Sequence, residues 1–177
     1  MRTPRFVRLL VGIGLLAGGL AVGAPNAPAI SVSLPQASYN VRLVDGNVVA
    51  SHIQLSWTPE RMRGRAFGAV TVLALKQDKV TGNIGGDPVN LKAHMEDGAL
   101  VGEGGFLGGP VRLRFSPQEL HVYLNGCTYR LKREGDNYVG PRSCDSPLER
   151  PVTVGLPEGF QQLTQAEQMI LLLLSLG

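Results

Sequence analysis

Between about residue 70 and residue 144 the chain alternates apolar and polar positions with period two, and turn-forming pairs interrupt the alternation at short intervals. The recurring unit is a [Val/Leu/Tyr]-x-Leu strand, a turn, and a return strand that contains glycine. Asn125-Gly126 is the clearest turn, a two-residue type I′ signal. It sets Leu124 against Cys127, Val122 against Tyr129 and Leu120 against Leu131. Ser116 to Glu119 forms a loop that sets Phe115 against Leu120, Leu113 against Val122 and Val111 against Leu124. Asp97-Gly98 sets Met95 against Leu100 and Ala93 against Gly102, and Gln77-Asp78 sets Leu75 against Val80. Two glycine-rich turns complete the set. Gly108-Gly109 is expected to set Phe106 against Val111, and the Gly85–Pro88 loop to set Ile84 against Val89.

These registers agree on which face is apolar. A one-residue slip in any hairpin would turn its apolar set to the other side, so the agreement predicts an antiparallel up-and-down meander. A loop at Glu134–Asn137 sets Arg133 against Tyr138, and counting outward brings Cys127 opposite Cys144. Directly opposed residues have Cα atoms about 4.5–5.5 Å apart, within reach of a disulfide. The same register turns Arg142 inward beside Tyr129.

Strands are also expected at Ile30–Leu34, Tyr39–Val44, His52–Trp57 and Met62–Phe67. The fold class is therefore all-β, with about 10–12 short strands, and a meander of that size closes into a barrel or curls strongly. Thr164-Gln165-Ala166-Glu167 reads as a capping box ahead of Met169–Leu174 and predicts one C-terminal α-helix. That helix is apolar all round, which implies burial on more than one side. It is expected to pack on the barrel, over a mouth or along an edge, or else to join two copies of the protein.

The N-terminus has a different logic. Arg2, Arg5 and Arg8 precede an apolar run from Leu9 to Val22, and Ala27-Pro28-Ala29 supplies small residues for cleavage. This is the pattern of a secretory signal peptide over residues 1–29, with Ala24 as the second cleavage position. The run is shorter than the roughly 20 residues of a spanning helix, and no cysteine stands nearby for lipidation. The organisation expected is a β-domain over 30–146, a connecting arm over 147–163 and the helix over 164–177.

Export changes the meaning of the charge. The chain has 17 Lys and Arg residues, and removing Arg2, Arg5 and Arg8 leaves 14, equal to the 14 Asp and Glu. The basic balance belongs to the leader and gives no support to a nucleic-acid partner. An exported chain with two cysteines favours one disulfide, Cys127–Cys144.

Chemistry is sparse. There is no Gly-x-Ser-x-Gly, His-Glu-x-x-His or phosphate loop. His52, His94 and His121 are expected to point outward on separate strands, which disfavours a metal site. The expectation is a protein that is not an enzyme and needs no cofactor or metal. The outer face carries one row expected as Lys92, Glu103, Arg114, His121 and Arg130, with Arg112, Tyr123 and Thr128 beside it. Paired charges on a solvated face explain such a row. As a site, Arg112, Arg114, Tyr123, Arg130 and Lys132 form a basic, aromatic surface for an anionic envelope component or another protein, with Arg61, Arg63 and Arg65 as candidates to extend it. Gly82, Gly102 and Gly104 on the inner face mark curvature or close approach, or else space for a small apolar ligand. The leading expectation is an exported, periplasmic or extracellular binding module that is neither lipid-anchored nor membrane-spanning. The alternative is a carrier of a small apolar ligand within the barrel. A membrane barrel would need strands of about 9–11 residues and an apolar outer band.

Overall fold

In the computed structural model, which describes residues 27–145 and 148–177, the alternation becomes a closed barrel. Its strands are β1 (Ala29–Leu34), β2 (Ala37–Val44), β3 (Asn47–Ala50), β4 (Ile53–Thr58), β5 (Arg61–Ala66), β6 (Ala69–Leu75) and β7 (Lys79–Ile84). They continue with β8 (Asp87–Glu96), β9 (Ala99–Phe106), β10 (Gly109–Phe115), β11 (Glu119–Leu124), β12 (Cys127–Glu134), β13 (Asn137–Cys144) and β14 (Arg150–Gly155). Every strand pairs antiparallel with its sequence neighbours, and β1 pairs with β14 to close the wall. The count of 14 exceeds the 10–12 expected, partly because β3 has only four residues and its alternation is too short to read. Asp45-Gly46, both with positive φ, was the signal for it. The leader segment expected over residues 1–29 lies outside the described residues as far as residue 26. Ala29 already belongs to β1, and Pro28 O accepts a 2.8 Å hydrogen bond from Leu43 N.

Most of the expected registers are present. Asn125-Gly126, the Ser116 loop, Asp97-Gly98 and Gln77-Asp78 make the pairings given above. Two hairpins differ by two residues. Phe106 faces Gly109, so Val111 faces Gly104, and Ile84 faces Asp87, so Val89 faces Gly82. The turns are Leu107-Gly108 and Gly85-Gly86, each tighter or earlier than expected. A shift of two preserves the faces, so the apolar rows survive it. Leu107 holds φ at 51° and Phe67, in the matching turn of β5 and β6, at 52°, an unusual conformation for bulky residues. Chemistry favouring Gly-Gly concealed the true turn.

The helix α1 (Gln165–Leu176) runs inside the barrel instead of covering a mouth. Met169 through Leu174 are 0% exposed. Wall groups meet the helix from opposite sides: Met169 Sδ lies against Gly102 of β9, while Tyr39 of β2 donates to Ser175 O at 2.7 Å. The helix starts at the mouth that holds the β6–β7 turn, where Ala166 N donates to Gln77 O at 3.1 Å. It ends at the far mouth beside Phe67 and Leu107. An amphipathic stripe would suffice for a helix lying on a sheet, whereas one enclosed by a wall must be apolar on every side. The connecting arm contains β14, a full barrel strand, and then a 3₁₀ turn (Phe160–Gln162) that fills the entry mouth with the buried Phe160.

The capping box is formed: Thr164 N donates to Glu167 Oε2 at 2.9 Å, and Glu167 N donates to Thr164 Oγ1 at 3.3 Å. The terminal carbonyls, which lack partners within the helix, accept hydrogen bonds from the wall. Tyr129 donates to Leu176 O at 2.8 Å, as Tyr39 does to Ser175 O.

Outward positions are mainly polar or charged, as in Gln54 and Ser56 of β4 or Arg63 and Arg65 of β5, with Val70 and Val72 of β6 as exposed apolar exceptions. Among the described residues no helix is long and apolar enough to cross a membrane.

Candidate functional site

The outer wall over β9 to β12 carries the expected site residues, in a changed order. Because β10 is shifted by two against β9, one row reads Lys92, Glu103, Arg112, Tyr123 and Thr128. The next reads His94, Val101, Arg114, His121 and Arg130. Glu103 therefore lies between Lys92 and Arg112, and not between Lys92 and Arg114 as the local turn chemistry implied. The two rows flank a shallow groove of about 430 Å³ that includes Arg112, Arg114, Tyr123 and Arg130. Lys132, opposite Glu119 and Val139, is outside that lining. Arg61, Arg63 and Arg65 are on β5, four strands from β9, and do not extend the surface.

Charge in the groove is unevenly compensated. Arg114 lies 3.3 Å from Glu96 and 3.6 Å from Glu119, and His121 lies 3.7 Å from Glu119. Arg130 lies 3.3 Å from Glu149, which sequence reasoning could not place because it sits in the link between β13 and β14. Exposed pairs of this kind contribute little stability, but they lower the local positive potential. Arg112 has no ion pair among the described residues and stands exposed beside Tyr123, which is 38% exposed. Val101 adds an apolar patch to the lining that the charge pattern did not reveal. A cation, an aromatic ring and apolar floor within one groove can hold an anionic group by charge and its neighbouring carbon skeleton by contact.

The disulfide is present: Cys127 and Cys144 are directly paired, with Cα atoms 3.9 Å apart. It ties β12 to β13 at the far mouth. Arg142 does turn inward there, with its guanidinium 5.3 Å from the centre of the Tyr129 ring. Cation–π attraction and a 3.3 Å contact from Nη2 to Cys127 Sγ take the place of the bulge or open edge that such a residue would otherwise need. Burial raises the Tyr129 phenol above its usual range, against the lowering influence of Arg142, and burial first, then Tyr129, raises Tyr39.

His94 and His121 occupy outward positions as expected. His52 does not: it sits in the β3–β4 turn and folds over the far mouth, with its ring 5.5 Å from Tyr39 and 5.3 Å from Phe67. Turn residues are released from strand alternation, so period two misassigned it. Among the described residues no three His, Cys, Asp or Glu side chains come together in a group able to hold a metal ion. No family model matches the chain, and neither the curated proteins nor the solved structures provide a match.

Proposed function

We propose that this is an exported, non-enzymatic binding module of the cell envelope whose β9–β12 outer face receives an anionic partner. The observation that carries the reading is Arg112, which faces Glu103 across the strands but closes no ion pair among the described residues, and stands beside exposed Tyr123 in a groove with apolar floor. A rigid wall around a filled interior suits presentation of a surface. The alternative, carriage of a small apolar ligand in the barrel, is weaker because α1 takes the axial space. The buried helix likewise offers no apolar face to a second copy. The polar outer wall favours an aqueous compartment over a membrane barrel, which needs an outward apolar band.

The test uses three anionic probes: poly-glutamate, an acidic polysaccharide, and vesicles carrying anionic lipid. At least one is expected to bind, more weakly as salt is raised, because exposed charges are screened beyond about 8–10 Å. Arg112→Glu with Arg130→Glu is expected to abolish that binding while changing stability by no more than about 1 kcal/mol. Unchanged affinity in the double variant would reduce the groove to solvated surface.

A further inference from the structure

We propose that the cavity at the entry mouth, where α1 enters the barrel, binds an uncharged, hydroxyl-rich ligand: a neutral saccharide unit. This is a second site, and it does not rest on the reading of the outer face. The cavity measures about 480 Å³, a size suited to small ligands, whose sites span roughly 300–1,000 Å³. Among the described residues, none of the side chains lining it carries a charge, although 18% of the chain is charged.

Glutamines reach it from three separate elements. Gln77 comes from the β6–β7 turn, Gln161 and Gln162 from the 3₁₀ turn, and Gln165 from the first turn of α1. A carboxamide offers two donors and an acceptor without net charge, the combination that pairs with hydroxyl groups able to give and accept. Among the described residues, no intramolecular hydrogen bond occupies these four amide side chains. Gln168, also at the cavity, is used differently: its Nε2 donates to Leu163 O at 2.7 Å and braces the loop that presents Gln161 and Gln162. The framework is fixed in advance by the capping box and by the bond from Ala166 N to Gln77 O, so little ordering is left for a ligand to impose.

The floor supplies the second half of the recognition. Buried Phe115 lies beneath, and Met95, 53% exposed, offers a polarizable apolar surface. A sugar ring has one face of C–H groups and a rim of hydroxyls, and this cavity has a counterpart for each. An ionised ligand would lose water here with no opposite charge to meet it. The outer groove, with Arg112, has the opposite preference.

The experiment is an amide NMR titration of the folded, oxidised protein with maltotriose, cellotriose and chitotriose. The expected result is saturable shifts from at least one of them at the side-chain amides of Gln77, Gln161, Gln162 and Gln165. Gln77→Leu with Gln162→Leu should weaken that binding about tenfold or more, since hydrogen bonds to both would go. Arg112→Glu should leave it unchanged, and a uronic-acid trimer should bind no better. Gln161→Ala with Gln162→Ala, at exposed positions, provides an independent variant and should weaken binding in the same way. The proposal is overturned if none of the three sugars gives saturable shifts at about 10 mM. It is overturned equally if the shifts map away from the entry mouth, or if either double variant binds as tightly as the original.

Discussion

Gly102 and Gly104 stand two residues apart on β9 and are glycine for different reasons. A Cβ on Gly104 would clash with the backbone oxygen of Asn90, and its φ of 142° is one that L side chains rarely adopt. Gly64 and Gly82 show the same approach to Gln54 O and Val72 O, so these glycines let neighbouring strands come close where the wall bends. A Cβ on Gly102 would clash with Met169 Sδ, at 2.7 Å, towards the far end of a flexible side chain, and would otherwise meet Met169 Cγ at 3.4 Å and Leu113 Cβ at 3.6 Å. Gly104→Ala is therefore expected to destabilise by about 3 kcal/mol or more, combining clash and strain. Gly102→Ala should cost about 1 kcal/mol. Denaturant titration separates them, and equal losses would contradict this division. The buried phenols supply a pH dependence. Tyr39, Tyr129 and Tyr138 are all raised, chiefly by burial. The folded state then favours the protonated phenol. Its stabilisation is complete below the unfolded value of about 10 and is lost as pH rises through the higher folded values. Stability followed by circular dichroism should fall above about pH 10. A fall that Tyr39→Phe, Tyr129→Phe and Tyr138→Phe together leave unaltered would assign it to other groups.

At the scale of elements, α1 decides most. A fully buried Leu, Ile or Met side chain contributes about 1.5–3 kcal/mol, and Met169 through Leu174 provide six. That sum is comparable with the whole net stability of a domain, roughly 5–15 kcal/mol. Deleting residues 164–177 should thus do more than remove a cover. The shortened chain is expected to lose cooperative unfolding, bind hydrophobic dye and aggregate. A truncated protein that melts cooperatively near the original temperature would show that the wall stands without its filling. The bulky turns belong to the same economy of packing. Phe67 and Leu107 hold left-handed backbone and lie beside Gly177, where their side chains meet the helix end. Conformational cost of about 1–3 kcal/mol at such positions is offset by apolar contact at the far mouth.

For the whole molecule, closure depends on a short seam. β1 pairs with β14 at only three positions, Ser31 to Ser33, but with β2 at six, from Ala29 to Leu34. Cleavage of a leader after Ala29 would remove one of those six and the bond from Leu43 N to Pro28 O. It would also place a charged amino group on Ile30, which is 0% exposed. Both positions compatible with the sequence leave the three β1–β14 pairings in place, but only cleavage after Ala24 also keeps the pairing of Ala29 with Arg42 and the bond to Pro28 O. N-terminal sequencing of exported protein is expected to give Pro25. A mature chain starting at Ile30 would show that β1 tolerates the loss of its first pairing with β2, and an unprocessed chain would remove export from the proposal.

The sequence by itself determined what period two and turn chemistry control: most strands, their faces and registers, the paired cysteines and the inward Arg142. Each follows from interactions between residues close along the chain or directly across a hairpin. The capping box likewise marked where α1 begins. The Leu107-Gly108 turn was hidden because Gly108-Gly109 satisfies local rules better, and only contact with the helix end favours the bulky alternative. The composition of the outer surface could be read, since Arg112, Arg114, Tyr123 and Arg130 lie on one face of adjacent strands. Its charge balance could not, because Glu149 reaches Arg130 from another segment. The entry-mouth cavity brings the β6–β7 turn to the 3₁₀ turn and the start of α1, scores of residues further along the chain, and no local pattern joins Gln77 to Gln162. Closure of the barrel around α1 decided these features, because enclosure brings together residues that neither neighbour one another in sequence nor share a hairpin.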